Sequence, residues 1–159
     1  MSKLFLMAVV FIGLLVSSTE VQGQNATSKS KNQKTEKVAI EKLILAYQDA
    51  LNASDASKVI NLYTPTGVLM ANAAPTAEGA EQVKGTYQYV FDNFTYALQF
   101  TILEIEVNGN TAFARSTSKG SFVIKASGQT VPDENRELFV FQKVNGQWKI
   151  ARYMYNKNK

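Results

Sequence analysis

Cysteine and histidine are both absent from the 159 residues. Without cysteine there are no disulfides, no thiolate metal sites and no thiol nucleophile. Without histidine the commonest general base and the commonest metal ligand are missing as well. Acid–base chemistry therefore falls to Asp, Glu, Lys and Tyr, and neither a metal nor a cofactor is expected. The sequence also lacks a Gly-rich phosphate loop, a Ser-centred elbow and any cluster with metal-ligand spacing. Proline is scarce, at three residues.

Aromatic residues are plentiful, with nine Phe, seven Tyr and one Trp, and 45% of the chain is apolar. That is enough for a substantial core, and it favours a sheet carrying large side chains. The length suits one domain. The net charge of +4 gathers partly at the ends, with Lys29, Lys31, Lys34 and Lys37 ahead of the domain and Lys157 and Lys159 after it. Charge this diffuse argues for solvated flanks and against nucleic acid as a partner.

The first residues read as an address. Lys3 precedes an apolar run at residues 4–16, and Val21-Gln22-Gly23 follows with small residues where a signal peptidase cuts. The run is short for a membrane span, so a stable anchor is not expected after cleavage; an uncleaved N-terminal anchor is the alternative. The expected organisation is a signal peptide at 1–23, a flexible leader at 24–34, a domain at 35–156 and a basic tail at 157–159, in a secreted or periplasmic protein. Asn25, Asn52 and Asn93 head Asn-x-Ser/Thr sites.

Within the domain, Ile40, Leu43, Ile44, Tyr47 and Leu51 form a helical stripe over 35–52. Ser54 suits an N-cap, with Asp55 in the first turn of a short second helix that buries Val59, Ile60, Leu62 and Tyr63 before Pro65 and Gly67 end it. A short strand fits 67–72. A third helix fits 80–94, with Val83, Tyr87, Val90, Phe91 and Phe94 on one side. Four long strands follow at 95–107, 111–125, 134–144 and 147–155. Asn108-Gly109 and Asn145-Gly146 join two pairs of them as tight hairpins. Ser127-Gly128 and Pro132 mark a looser connection between the hairpins.

Helices first and a meander afterwards predict an α+β fold. In it a curved antiparallel sheet of four long strands plus a short one forms a cone-shaped barrel around three N-terminal helices. Alternation places Leu103, Ile105, Val107, Ala112, Ala114, Leu138, Val140, Trp148 and Ile150 inward. Phe113, Phe139, Phe141, Tyr153 and Tyr155 then face outward, where a homodimer interface would cover them. A register shifted by one residue would make these aromatics core instead.

The stretch from Ala46 through Asp55, followed by Leu62-Tyr63, resembles the opening helices of SnoaL-like proteins of the nuclear transport factor 2-like superfamily, which includes ketosteroid isomerase. Glu78-Gly79 and the closing run from Gly146 to Arg152, then Tyr155-Asn156, are similar to the same family. The resemblance implies an α+β cone, a pocket between sheet and helices, and dimers packed through the sheet. It also implies an Asp three residues after Tyr63, where this chain has Thr66.

For the site, Glu137 is the candidate catalytic base: inside the pocket, desolvation would raise its pKa. Pointing outward, it would be an ordinary charge opposite Lys149 or Arg152. Tyr47, Tyr63 and Tyr87 would line an apolar pocket with hydroxyl donors, suited to a small hydrophobic or aromatic molecule. Trp148 and Arg152 share strand parity and are placed toward the helices, while Met70, Asn72, Met154 and Asn156 are placed at the mouth. The missing His and the Thr66 position favour ligand binding. A ketosteroid isomerase-like lyase, isomerase or hydrolase is the alternative, distinguished by a pocket carboxylate within hydrogen-bond reach of a Tyr hydroxyl.

Overall fold

The structure is a computed structural model that describes residues 19–158, with side chains from residue 30 onward. The apolar segment at 4–16, read as the core of a signal peptide, lies outside the described residues. The chain divides into two compact units, Met1–Asn32 and Gln33–Lys159. Helix α1 spans Thr19–Asn52, so the leader at 24–34 is helical where flexible chain was expected. Its Lys, Gln and Ala residues tolerate helix, and extending an existing helix costs far less than starting one.

The expected stripe is real: Ile40, Ile44, Tyr47, Ala50 and Leu51 are buried. The chain then turns at Ser54, whose φ of 52° excludes it as the N-cap. Asp55 takes that role for α2 (Ala56–Asn61), accepting from the Lys58 N–H. Tyr63 is not on this helix. It opens strand β1 (Tyr63–Met70), which extends through Pro65 by way of an irregularity between Tyr63 and Val68. The two-residue strand β2 (Ala77–Glu78) was not foreseen and leads into α3 (Gly79–Asn93).

Strands β3 (Phe94–Asn108), β4 (Thr111–Ile124), β5 (Gln129–Val144) and β6 (Gln147–Lys157) form the expected meander. The six-stranded order is β2-β1-β6-β5-β4-β3, with β1 parallel to β6, so the sheet stays open at both edges rather than closing as a barrel. The hairpins differ in chemistry. Asn145 and Gly146 both have positive φ, as a type I′ turn demands, whereas at the first hairpin the loop is Gly109-Asn110 and only Gly109 is positive. The connection before β5 is tight, because Ile124 already pairs with Gln129. Pro132 is tolerated inside β5 because β6 ends opposite Asn135, which leaves that flank of β5 without a ladder partner.

Helix α1 covers the edge strand β3. Asn52 Nδ2 donates to the Leu98 carbonyl (2.8 Å) and Asn52 Oδ1 accepts from the Leu98 N–H (2.9 Å). Gln48 Oε1 accepts from the Phe100 N–H (2.8 Å). These side chains occupy edge groups that would otherwise invite another strand.

The expected faces fail at two bulges and along one strand read in the wrong register. On β6, Ala151 is an extra residue between the pairs Val140–Arg152 and Phe141–Ile150. This bulge reverses the alternation: Trp148 and Ile150 face the core as expected, but beyond it Tyr153 is buried and Arg152 and Met154 are exposed. On β3 a bulge at Leu103 leaves that residue exposed. On β5 the register was read one residue off. Phe139 and Phe141 are fully buried, Leu138 is exposed, Val140 shares its side and is only half-buried, and Tyr155, expected outward, faces inward opposite Glu137. Phe113 does lie on the outer face, as expected.

Candidate functional site

The inner face of β5 is graded from polar to apolar. Asp133, Asn135, Glu137, Phe139 and Phe141 alternate along it and are all buried. Opposite them on β4 stand Gly120, Ser118, Ser116, Ala114 and Ala112, a column of small residues that leaves room for the larger ones. On the other flank, β6 sets Tyr155 opposite Glu137 and Tyr153 opposite Phe139. Tyr47 descends from α1 into this face. Its ring meets Phe100, Phe139 and Tyr153 edge-on at centroid distances of 5.8, 5.6 and 5.1 Å.

Between the polar half of β5 and the helices lies a cavity of about 100 Å³. Leu98 and Phe100 give it apolar walls, Tyr47 and Tyr87 contribute from the helices, and Glu137 and Tyr153 contribute from the sheet. Cavities of this order hold a single-ring molecule rather than a large one.

Glu137 is 4% exposed. Ser116 Oγ donates to its Oε2 at 3.1 Å. Burial pushes the carboxyl up to about 7, against the pull of hydrogen bonds from Ser118, Ser116 and Tyr153 and with a contribution from the nearby Asp133 charge. Tyr47 and Tyr87 share a hydrogen bond of 2.6 Å, and Tyr63 reaches the Tyr87 hydroxyl at 3.0 Å. Burial raises the phenols of Tyr47, Tyr63, Tyr87 and Tyr153 above their ordinary value of 10, so all four are neutral hydroxyls at physiological pH. A carboxyl poised near neutrality beside neutral phenols can give and take a proton while the phenols donate to a developing oxyanion.

Farther along the same face of β5, Asp133 pairs with Lys157, whose ammonium also lies 5.6 Å from the Phe122 ring centroid. Asn135 Nδ2 donates to Asp133 Oδ2 (3.2 Å) and to Ser118 Oγ (3.3 Å). Among the described residues, no three His, Cys, Asp or Glu side chains gather to hold a metal.

Of the residues singled out from the sequence, Glu137, Tyr47 and Tyr87 line this cavity. Tyr63 stands behind Tyr87 and bonds to it. The others lie elsewhere. Trp148 is buried at another place, where its Nε1 donates to Glu36 Oε2 at 2.6 Å. Arg152 points outward past the Ala151 bulge and donates to the Thr66 carbonyl at 3.2 Å. Met70 yields its expected place to Leu69 and Ala71, while Asn72, expected beside it, does line the cavity. Met154 and Asn156 line a shallow groove on the outer sheet face with Leu103 and Leu138. Thr66 is exposed, away from the cavity. The residues missed were Tyr153, Ser118, Asn135 and Asp133. The inward register of Glu137 would have found the last two, since they share its parity.

A profile for the SnoaL-like domain matches residues 44–153. A ketosteroid isomerase-like protein from Erwinia carotovora atroseptica is 34% identical, with 77% of this chain and 95% of that one covered at a TM-score of 0.73. A dehydratase candidate of the NTF2-like family from Streptomyces avermitilis is 18% identical over 79% of this chain and 98% of that one (TM-score 0.67). A domain with a cystatin-like fold from Nostoc punctiforme is 16% identical over 79% and 78% (TM-score 0.66). The last two likenesses speak to fold alone. Curated proteins give no sequence match. With its helices, open sheet and interior cavity, the chain belongs to the SnoaL-like family, within the NTF2-like, ketosteroid isomerase-like fold.

Proposed function

We propose that the cavity binds a small, largely apolar ring compound and that Glu137 moves a proton between two of its carbons. Family membership supports a ligand-binding or isomerase-like role in general terms. The observation that carries the finer reading is the buried Glu137 carboxyl, bonded by Ser116 and raised to about 7, which lines the same cavity as the hydroxyl-bearing Tyr47, Tyr87 and Tyr153. A carboxylate and phenols sharing one pocket support catalysis over simple binding. In the proposed step, ionised Glu137 takes the proton from a carbon next to a carbonyl. The C–H electrons pass into the enolate, whose oxygen accepts from the neutral Tyr hydroxyls. The Glu137 acid then returns the proton to a different carbon.

The test uses 3-cyclohexen-1-one, a single ring that isomerises to the conjugated ketone with a rise in ultraviolet absorbance. Wild type is expected to accelerate this, and Glu137→Gln to abolish the acceleration. A wild-type rate equal to that of buffer, with no deuterium uptake from D2O, would sink the reading.

We also propose a homodimer through the outer sheet face, where Leu103, Phe113, Leu138 and Met154 are exposed on four adjacent strands. Leu138→Glu should then yield monomers in gel filtration; an unchanged elution volume speaks against it. Export is proposed on the residue 1–23 pattern alone. Cleavage after Gly23 would remove Thr19–Gly23 from α1, and the mass of the protein from the exported fraction of its host checks it.

A further inference from the structure

The hydrogen-bond accounting of the cavity does not close at one atom. Asn135 is 3% exposed and lines the cavity, yet no described group donates to its Oδ1. The orientation of its amide is not arbitrary. Nδ2 donates to Asp133 Oδ2 and to Ser118 Oγ. Turning the amide over would set Oδ1 against the Asp133 carboxylate, two acceptors facing each other with no proton between them. Asp133 is itself fixed by Lys157. The ion pair therefore holds the amide so that its carbonyl oxygen is the free acceptor. Buried acceptors are normally matched, and one left unmatched on a residue that lines a cavity points to a donor from the occupant.

Its position gives the donor a place. Asn135 and Glu137 are two residues apart on the same face of β5, so their backbone positions are separated by roughly 7 Å. Both stand beside small hydroxyl residues of β4, Asn135 donating to Ser118 and Glu137 accepting from Ser116. A single-ring molecule between them would present one end to Glu137 and the other to Asn135, with its body against Leu98 and Phe100, which have nothing polar to offer it.

We propose that Asn135 Oδ1 is a specificity determinant that selects ring compounds carrying a hydroxyl or N–H group at the end remote from the carbon facing Glu137. This deepens the proton-transfer reading and rests on it for the role of Glu137; the recognition itself is a matter of binding and is measured separately. A site built to accept a hydrogen bond discriminates strongly against an analogue that lacks the donor, because the buried acceptor is then desolvated for nothing.

The probes are 4-hydroxycyclohexanone and 4-methylcyclohexanone, matched in shape and differing in the donor. Affinities are read by ligand-observed NMR, and exchange of the protons beside the carbonyl is read in D2O on the same samples. Wild type is expected to bind the hydroxyl compound at least about tenfold more tightly. Asn135→Leu should erase or invert that preference, and Glu137→Gln should keep it. Equal affinities in wild type, a preference for the methyl compound, binding of neither probe, or a preference that survives Asn135→Leu would overturn the proposal. The wild-type comparison stays decisive even if Asn135→Leu does not fold. A tenfold preference without exchange would uphold Asn135 as the determinant and defeat proton transfer; exchange without preference would do the reverse.

Discussion

Replacing Glu137 by Gln should make the protein more stable above neutrality. In the unfolded chain the carboxyl titrates near its ordinary 4.5, and in the folded protein burial lifts it to about 7. Below pH 4.5 both states hold the proton and the group is neutral to stability. Between 4.5 and 7 the folded state keeps a proton that the unfolded state has lost. Stability therefore falls as pH rises through this window, and the loss is complete above pH 7. At 1.36 kcal/mol for each decade of pH, the full effect is about 3 kcal/mol. Gln cannot ionise, but its side-chain oxygen can still accept from Ser116. The measurement is the urea midpoint of wild type and Glu137→Gln at intervals from pH 4.5 to 8.5. The chain has no histidine to titrate inside this window, which leaves the signal unusually clear. Wild type should weaken by about 3 kcal/mol while the variant stays nearly flat, the two curves meeting on the acid side. A wild-type profile that is level or rises between pH 5 and 8 would refute the reasoning. It would mean that Glu137 is hydrated or paired in solution.

Tyr87→Phe removes the hydroxyl that joins Tyr47 and Tyr63. It should cost about 1–3 kcal/mol in urea unfolding, because two buried phenols lose a partner. Gly120→Ala should cost about 3 kcal/mol, since a Cβ there would lie 1.9 Å from the Ala97 carbonyl oxygen; an unchanged melting curve would contradict the packing. Glu36 holds Lys143 and Trp148 at 2.6 Å each, and the Lys143 hydrogen bond keeps its carboxyl below the ordinary value. Its stabilisation is present above pH 4.5 and is lost as pH falls through the lowered folded value. Glu36→Gln should therefore weaken the protein at pH 6 and erase part of its acid sensitivity, both measurable as denaturant midpoints.

The elements that could be read from the sequence are those with only one apolar pattern to choose from. Ile40, Ile44, Tyr47 and Leu51 fit a helix and nothing else, and Asn145-Gly146 fits one turn. Strand β5 offers two patterns, Leu138 with Val140 or Phe139 with Phe141. The polar residues sharing parity with the phenylalanines make that face look solvated. They are inside because the sheet and helices do not close completely over them, and that gap is the cavity. Polar residues on a core face mark where a sequence departs from its own folding pattern for the sake of a site. The Ala151 bulge was illegible for a different reason. Alanine carries no turn or positive-φ signal, and only the pairing of β5 with β6 reveals the extra residue. Arg152, Met154 and Asn156 were all misplaced by that single residue.

Ala151 is carried by β6 without a partner on β5. Its loss would make the pairs Phe141–Ile150 and Val140–Arg152 consecutive and leave every later residue on the face it now has. Tyr153 would stay inside, opposite Phe139, and Arg152 would stay outside. A three-nucleotide deletion at this codon would therefore straighten the strand and spare the chamber. Related chains one residue shorter at this point would have the same interior, and aligning them without a gap would set their inward side chains against outward ones.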